Sequence, residues 1–237
     1  YARRSERADA ILELLREARR EGIRVTADLY PYTASYTGIG ILFPEWALPP
    51  HSYDEALRTR REELEEHLRQ RVQSRNGPQA TLFGTAPWAG MTLTEVSDSL
   101  GKPFEEVLMD EIGPRGASAA YFVMNEEVMR RFMLDPMVMI SSDGSPTMRH
   151  PRGYGSYARI IHRYVRQEGL LGLEEAVRKM SALPAATLGL DDPARAGTPR
   201  GRIETGLAAD LLIFDPNRVR DRATFEEPHL PAEGFDY

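Results

Sequence analysis

The chain has 237 residues, of which 41% are hydrophobic and 28% are charged, as in an ordinary globular protein. Its formal net charge is −6 and no long basic block is present, which argues against a nucleic-acid-binding role. Cysteine is absent, which excludes disulfides and thiolate metal sites within the chain, and no apolar run approaches the roughly 18 residues of a membrane-spanning helix.

The first half of the chain begins with alternating helix and strand patterns. Helical spacing of apolar residues from 8 to 18 predicts a helix that Ser5 can cap and that Gly22 ends. Alternating apolar residues then predict a strand over residues 23–29, and Pro31 ends its regular pairing. The irregular stretch 33–53 is rich in aromatic residues and proline, and loops of that length are often functional. Asp54 is predicted to cap the charged helix that follows.

Strands and helices continue to alternate in the middle of the chain. Residues 81–84 are predicted to form a short strand, and residues 119–124 a longer one. Asn125 is predicted to cap the next helix. Residues 137–142 read as a further strand, and the apolar run 137–140 within it is of the kind that is buried in a sheet.

The last third of the chain shows two further helix patterns and then a change of character. Ser156 is predicted to open one helix, and residues 173–180 to form another that is closed by Pro184. Residues 193–201 read as a loop. Residues 203–214 then read as strand and turn.

Strand–helix alternation with apolar strands predicts a parallel α/β architecture. An eight-stranded barrel usually needs about 250 residues. Only three or four strand–helix units are visible here, so we predict that residues 1–190 form part of a TIM-type (β/α) barrel. Residues 191–237 are predicted to be a β-rich tail that belongs to a small β domain. Either the barrel is incomplete or some strands are not recognised.

Asp143 is the strongest candidate for a catalytic residue. It follows the apolar strand 137–142, and barrel enzymes place catalytic groups at the carboxyl ends of their strands. Gly144 and Pro146 indicate a tight turn that holds the carboxylate at the rim. The alternative is a turn or helix cap, which is common for Asp in a Ser-Asp-Gly sequence.

Arg152 lies nine residues further on, in the glycine-rich stretch His150–Ser156. Its guanidinium offers a planar donor fork that suits a substrate carboxylate. Gly153 and Gly155 let the chain turn sharply near a ligand. The alternatives are a surface salt bridge for Arg152 and a backbone hydrogen bond for His150.

No metal-ligand spacing is present among the five histidines, because none forms a His-x-His or His-x3-His pair. His162 is predicted to face solvent on a charged helix. Tyr30, Tyr32 and Trp46 either line a pocket below the long loop or fill the space between the loop and the barrel.

Several stretches, in order along nearly the whole chain, resemble the N-acyl-D-amino-acid deacylase (D-aminoacylase) family of the amidohydrolase superfamily. The combination is specific, whereas any one stretch is weak. The stretches are Val25–Ala34, Ile140–Pro146, His150–Ser156, Tyr164–Arg166, Leu173–Met180, Pro184-Ala185, Gly201–Ile203, Ala209–Pro216 and Asp221–Phe225.

The resemblance implies a metal-dependent barrel enzyme, usually with zinc, that hydrolyses N-acyl-D-amino acids to a carboxylate and a D-amino acid. It implies that Asp143 takes a proton from the metal-bound water and delivers it to the leaving amine. It implies that Arg152 pairs with the α-carboxylate of the substrate. The tail from Gly201 is similar to the strand that returns to the family's small β domain.

Two departures from the family pattern concern the metal. The superfamily's His-x-His and the ligands from its middle strands are expected to precede Tyr1, so the chain is predicted to be the C-terminal half of the enzyme and inactive alone. The histidine after the sixth strand is missing, and spacing does not decide whether Asp28, Tyr30 or Tyr32 takes its place. The metal ligands are therefore unknown, with Asp143 as one candidate.

Two other functions remain open at this stage. One is another amidohydrolase, of the dihydroorotase or hydantoinase type, and the other is a non-catalytic barrel remnant that binds a ligand. For the hydrolase, the predicted partner is a small-molecule substrate, and no nucleic acid or membrane is expected. The absence of cysteine and of a visible signal peptide is compatible with the predicted cytoplasmic location.

Overall fold

The computed structural model describes residues 5–236, which divide into two compact units. Unit 1 consists of residues 5–32, 125–147 and 151–236, and unit 2 of residues 33–124 and 148–150. Most of unit 2 is therefore an insertion in the sequence of unit 1. The boundary predicted at residues 190/191 lies inside unit 1 and stays a prediction.

The helices and strands of the described residues are short. The helices are α1 (Ser5–Arg20), α2 (Tyr53–Thr59), α3 (Arg61–Gln73), α4 (Leu93–Leu100), α5 (Phe104–Glu106), α6 (Glu126–Leu134), α7 (Arg152–Arg159), α8 (Leu173–Met180), α9 (Ala182–Leu188) and α10 (Pro193–Ala196). The strands are β1 (Ala27–Leu29), β2 (Ser35–Gly38), β3 (Thr81–Phe83), β4 (Ser118–Tyr121), β5 (Val138–Ile140), β6 (Ile213–Phe214) and β7 (Phe235–Asp236). Helix α5 continues into π-helical turns over Val107–Ile112, and α7 into π-helical turns over Ile160–Gln167. Within this part of the chain, none of the helices is both long and apolar enough to span a bilayer.

The framework of unit 1 is a parallel pair of strands, β1 and β5. They pair in register from Ala27–Val138 to Leu29–Ile140. Parallel strands need a crossover connection, and this one contains α6, so β1, α6 and β5 form a βαβ unit. Buried residues of these strands join residues from α1, α6 and α8 in one apolar core. The α/β class is confirmed, and the predicted strands are present but shorter: residues 27–29 of the predicted 23–29 and residues 138–140 of the predicted 137–142.

Helix α6 forms where its cap and its apolar stripe predict it. The side-chain oxygen of Asn125 accepts the N–H of Val128 at 3.1 Å. Glu126 and Glu127 lie in the first turn, where the helix dipole favours negative charge. Met129 and Met133, four residues apart, are buried at helical spacing. The predicted cap at Asn125 is confirmed.

Unit 2 is built on an antiparallel sheet in which β4 lies between β2 and β3. Strand β2 pairs with β4 in a register that begins at Ser35 opposite Tyr121. The carbonyl oxygen of Thr33 accepts the N–H of Met124 at 3.0 Å. The two ends of segment 33–124 therefore meet.

The strands predicted over residues 81–84 and 119–124 are confirmed as β3 and β4, but their place in a parallel barrel is wrong. Both pair antiparallel, with each other, inside unit 2. The physical reason is that the insertion has an apolar core of its own. Among the fully buried side chains of that core are Leu64, Leu68, Phe83, Leu93, Leu108 and Tyr121.

The prediction that Asp54 caps a helix is wrong by two positions. Helix α2 begins at Tyr53, and the hydroxyl of Ser52 accepts the N–H of Glu55 at 3.3 Å. Asp54 lies in the first turn instead. Arg60, with φ −136° and ψ 32°, interrupts the helix before α3 begins.

The predicted helix start at Ser156 and the predicted helix end at Pro184 are also wrong. Helix α7 begins at Arg152, and the Ser156 hydroxyl donates to the Arg152 carbonyl oxygen one turn later, at 2.9 Å. Gly153 and Gly155 lower intrinsic helix propensity, which hid this first turn in the sequence. Pro184 lies in the first turn of α9, where proline needs no backbone N–H.

The tail contains less strand than its sequence predicts. Within the stretch 203–214, Ile213 and Phe214 pair antiparallel to β7, and an isolated antiparallel bridge joins Arg220 and Glu233 further on. Most of the stretch 203–214 is irregular, and Ile203 is 91% exposed. The predicted loop 193–201 contains the short helix α10. Membership of this segment in a small β domain stays a prediction.

Lys179 is a fully buried cation beside β5. Its Nζ donates to the carbonyl oxygen of Val138 at 2.9 Å and to that of Asp135. Burial is the main cause that lowers the pKa of Lys179. The side chain thus satisfies two carbonyl groups where β5 begins.

We expect Lys179→Ala to lower the free energy of unfolding by about 2–5 kcal/mol, because it leaves a cavity and removes the donor of two buried carbonyls. Denaturant unfolding of the full-length protein measures this. Lys102→Ala is the matched control, since Lys102 pairs with Glu111 and is 40% exposed, and we expect a change below about 1 kcal/mol. Equal losses in the two variants would contradict the role of Lys179.

Candidate functional site

Asp143 lies just beyond the carboxyl end of β5, where the sequence places it. Its φ of 45° is in the left-handed region, which Asp and Asn tolerate better than most residues. The neighbouring Ser142 hydroxyl accepts the N–H of Gly144 at 3.2 Å and so supports the turn. The side chain of Asp143 is 63% exposed, so its carboxylate is open to solvent.

Arg152, the first residue of α7, lies against Asp143. Its Nη2 is 2.8 Å from Oδ2 of Asp143. Two glycines permit this approach, since a Cβ on Gly144 would lie 2.9 Å from the Cα of Gly153. The structure therefore brings together the two residues singled out in the sequence. Their catalytic and substrate-binding roles stay predictions.

The guanidinium of Arg152 is buried, which distinguishes it from a surface salt bridge. Its side chain is 4% exposed, and Cζ lies 4.5 Å from the ring centroid of Tyr30. Burial is the main cause that raises the pKa of Tyr30; Arg152 lowers this pKa and Asp143 raises it. Tyr30 therefore stays a neutral phenol at neutral pH. Its ring is a cation–π platform that orients the planar guanidinium.

His150 and Trp46 belong to unit 2 and make packing contacts there. The Nε2 of His150 lies 3.0 Å from the carbonyl oxygen of Ala34, and its ring packs edge-to-face on Tyr36. His150 therefore matches the alternative given for it in the sequence analysis, a loop histidine that is hydrogen-bonded to the backbone. The guanidinium of Arg60 lies over the Trp46 ring at 3.7 Å.

The described residues do not fit a zinc site by themselves. Residues 5–236 contain no group of three or more His, Cys, Asp or Glu side chains that could hold a metal ion. The ligands predicted to precede Tyr1 lie outside the described residues. Of the candidates for the sixth-strand position, Asp28 is exposed on β1 and Tyr32 is buried.

Sequence reasoning missed a charged cluster next to α7. The carboxylate of Asp221 is 3.0 Å from Nη1 of Arg159 and 2.5 Å from Nδ1 of His162. The prediction that His162 faces solvent is wrong, because its side chain is 20% exposed and paired with this carboxylate. The only signal was that Asp221 begins the last stretch of the family resemblance.

An exposed carboxylate and a buried guanidinium at one strand end can serve two chemical tasks. The carboxylate can exchange protons with a reacting group, and the guanidinium can bind a second carboxylate. A mainly apolar cavity of about 890 Å³ in unit 1 is a separate feature. Its lining residues run from Tyr154 to Phe235 and include neither Asp143 nor Arg152.

Residues 107–237, which make up more than half of the chain, match the model of the Amidohydrolase family. The chain therefore belongs to the amidohydrolase family. Among curated relatives, an N-acyl-D-glutamate deacylase of Alcaligenes xylosoxydans xylosoxydans is 34% identical over 230 residues, which is 96% of this chain and 40% of that protein. A D-aminoacylase of the same organism is 42% identical over 149 residues, which is 62% of this chain and 29% of that protein.

A solved structure shows the same relationship. It is an N-acyl-D-glutamate deacylase from Bordetella bronchiseptica, complexed with zinc and a phosphonate inhibitor. Its TM-score is 0.72 at 32% identity, over 97% of this chain and 41% of that chain. The chain thus spans about two fifths of the length of these deacylases. The resemblance to the D-aminoacylase family is confirmed.

Proposed function

We propose that the protein hydrolyses the amide bond of N-acyl-D-amino acids and releases a carboxylate and a D-amino acid. The observation that carries this proposal is the exposed carboxylate of Asp143, 2.8 Å from the buried guanidinium of Arg152, at the carboxyl end of β5. The deacylase activity named for the relatives supports it.

Each of the two residues has one role in the proposal. Arg152 binds the α-carboxylate of the substrate through its donor fork. Asp143 takes a proton from the water whose oxygen adds to the acyl carbon, and it delivers that proton to the leaving nitrogen as the C–N bond breaks. Binding by Arg152 would orient the substrate so that this nitrogen lies near Asp143.

Zinc is proposed as the cofactor of the whole protein, because the Bordetella relative was solved with zinc. The chain spans about two fifths of the length of these relatives, and we propose that zinc ligands lie in a part of the whole protein outside residues 5–236. The isolated 237-residue chain is then expected to be inactive. The roles of Asp143 and Arg152 rest on their own contacts.

The finer fold is part of the same proposal. We propose that β1 and β5 are neighbouring strands of a TIM-type barrel, to which residues 1–190 contribute apart from unit 2, and that residues 191–237 belong to a small β domain. The parallel βαβ unit of β1, α6 and β5 supports the barrel. Unit 2 would then be an insertion after a barrel strand.

A substrate panel tests the proposed function. We expect the full-length protein to release free amino acid from N-acetyl-D-amino acids and to leave the L-enantiomers, hydantoins and dihydroorotate uncleaved. Cleavage of the cyclic amides instead would favour the dihydroorotase or hydantoinase type. Zinc-loaded protein that cleaves none of these compounds would favour a non-catalytic barrel remnant.

A further inference from the structure

The segment Tyr30–Tyr32, directly after β1, contacts α7 at both ends. At the start of the helix, the ring of Tyr30 lies 4.5 Å from the guanidinium carbon of Arg152. At its end, Nε of Arg159 donates to the carbonyl oxygen of Pro31 at 3.0 Å, and the Arg159 guanidinium carbon lies 4.8 Å from the ring centroid of Tyr32. The placement of Arg159 and that of Arg152 are therefore linked.

Asp221, from the C-terminal segment, holds Arg159 in place. Its Oδ2 accepts from Nη1 of Arg159 at 3.0 Å, while Oδ1 lies 2.5 Å from Nδ1 of His162. The Asp221 side chain is 8% exposed and that of Arg159 is 23% exposed. Because this pair is shielded from water, its Coulomb attraction is screened less than that of an exposed ion pair.

Gly155 shows how closely these groups pack on α7. A Cβ on Gly155 would lie 2.4 Å from the hydroxyl oxygen of Tyr32 and 3.6 Å from the Cβ of Asp221. The Tyr32 hydroxyl also donates to the carbonyl oxygen of Pro151, the residue before Arg152, at 3.4 Å. Tyr32, which contacts Arg159 at the end of α7, thus also contacts the residue before the start of this helix.

We infer that Asp221 is a positioning residue for Arg152 and acts through Arg159 and the segment Tyr30–Tyr32. This inference rests on the proposed function, because it assigns Asp221 to the binding of the substrate carboxylate. Without the charge of Asp221, Arg159 loses its ionic partner and α7 can shift on the tyrosine segment. The guanidinium of Arg152 then leaves the position in which it binds substrate.

In the full-length protein, we expect Asp221→Asn to raise KM for an N-acyl-D-amino acid about 10- to 100-fold, as for a small misplacement of a binding group. We expect kcat to change less than about threefold, because the proton transfer does not involve Asp221. Asn has the shape of Asp and lacks its charge. A carboxylate-free amide of the same substrate should show no rise in KM, and Asp221→Glu, which keeps the charge, should recover part of the loss.

A double mutant tests whether Asp221 acts through Arg152. Asp221→Asn in an Arg152→Lys background is expected to raise KM no further, because both changes disturb the same contact. Fully additive effects, or a fall in kcat with KM unchanged, would overturn the inference. Glu233→Gln is the matched control, since Glu233 pairs with exposed Arg222 in the same segment, and its KM is expected to stay at the wild-type value.

A crystal structure of the full-length Asp221→Asn variant separates this inference from the proposed function. Displacement of the Arg152 guanidinium from the Tyr30 ring would support the inference, and an unmoved guanidinium would overturn it whatever the activity. If the wild-type protein cleaves no N-acyl-D-amino acid, the proposed function fails. The position of Arg152 in the variant then decides the inference alone.

Discussion

Asp143→Asn is expected to reduce the kcat of the full-length protein on N-acyl-D-amino acids by about 10²- to 10⁴-fold, the usual contribution of a general acid or base. Asn keeps the shape of the side chain and tolerates the left-handed backbone at φ 45°. Its carboxamide cannot deliver a proton at neutral pH. Steady-state kinetics with a D-amino acid readout measure the loss.

The control for this variant is Asp210→Asn. Asp210 also pairs with an arginine, Arg200, at 3.0 Å, and its side chain is 64% exposed, nearly the same as that of Asp143. We expect this control to keep wild-type turnover. Near-normal kcat in Asp143→Asn would remove the catalytic role, and a parallel loss of bound metal would indicate a metal ligand instead of a proton donor.

Arg152→Lys is expected to raise KM for carboxylate-bearing substrates about 10- to 100-fold, which corresponds to roughly 1.4–2.8 kcal/mol of binding free energy. Lysine keeps the positive charge. It loses the planar fork and the stacking on Tyr30, whose ring centroid lies 4.5 Å from the guanidinium carbon. Steady-state kinetics on an N-acyl-D-amino acid and on its carboxylate-free amide measure the difference.

The comparison of KM between the two substrates decides whether Arg152 binds the substrate carboxylate. An equal loss on the carboxylate-free amide would show that Arg152 supports the structure and not the substrate. Because the side chain is 4% exposed, thermal unfolding of the variant must accompany the kinetics. Arg200→Lys, which changes an exposed arginine of the same type of ion pair, is expected to leave KM unchanged.

The sequence predicts those parts of the fold that short-range signals determine. Helix α6 has its cap at Asn125 and its apolar stripe within ten residues, and β5 is an uninterrupted apolar run. The sheet of unit 2 could not be predicted in the same way. Strand β2 reads Ser-Tyr-Thr-Gly, without apolar alternation, and it pairs with residues at least 80 positions away.

In the candidate site too, the sequence predicts what short-range signals determine and not what long-range packing determines. Asp143 and Arg152 stand out because a carboxylate and a guanidinium follow one buried strand closely. The helical start at Arg152 was hidden by Gly153 and Gly155, whose low helix propensity is overridden by tertiary packing. The contact of Asp221 with α7 joins residues about 60 positions apart, and such packing leaves no periodic signal in one sequence.

The pairing of β1 with β5 requires residues 29 and 140 to meet across more than 100 intervening positions. Closing so long a loop is entropically costly and slows folding. When segment 33–124 has folded, the hydrogen bond between Thr33 and Met124 shortens the loop that is still open to about 20 residues, which lowers the closure cost by about 1–2 kcal/mol. The inserted unit thus favours an order of folding in which it forms first and the strand pair that carries Asp143 forms after it.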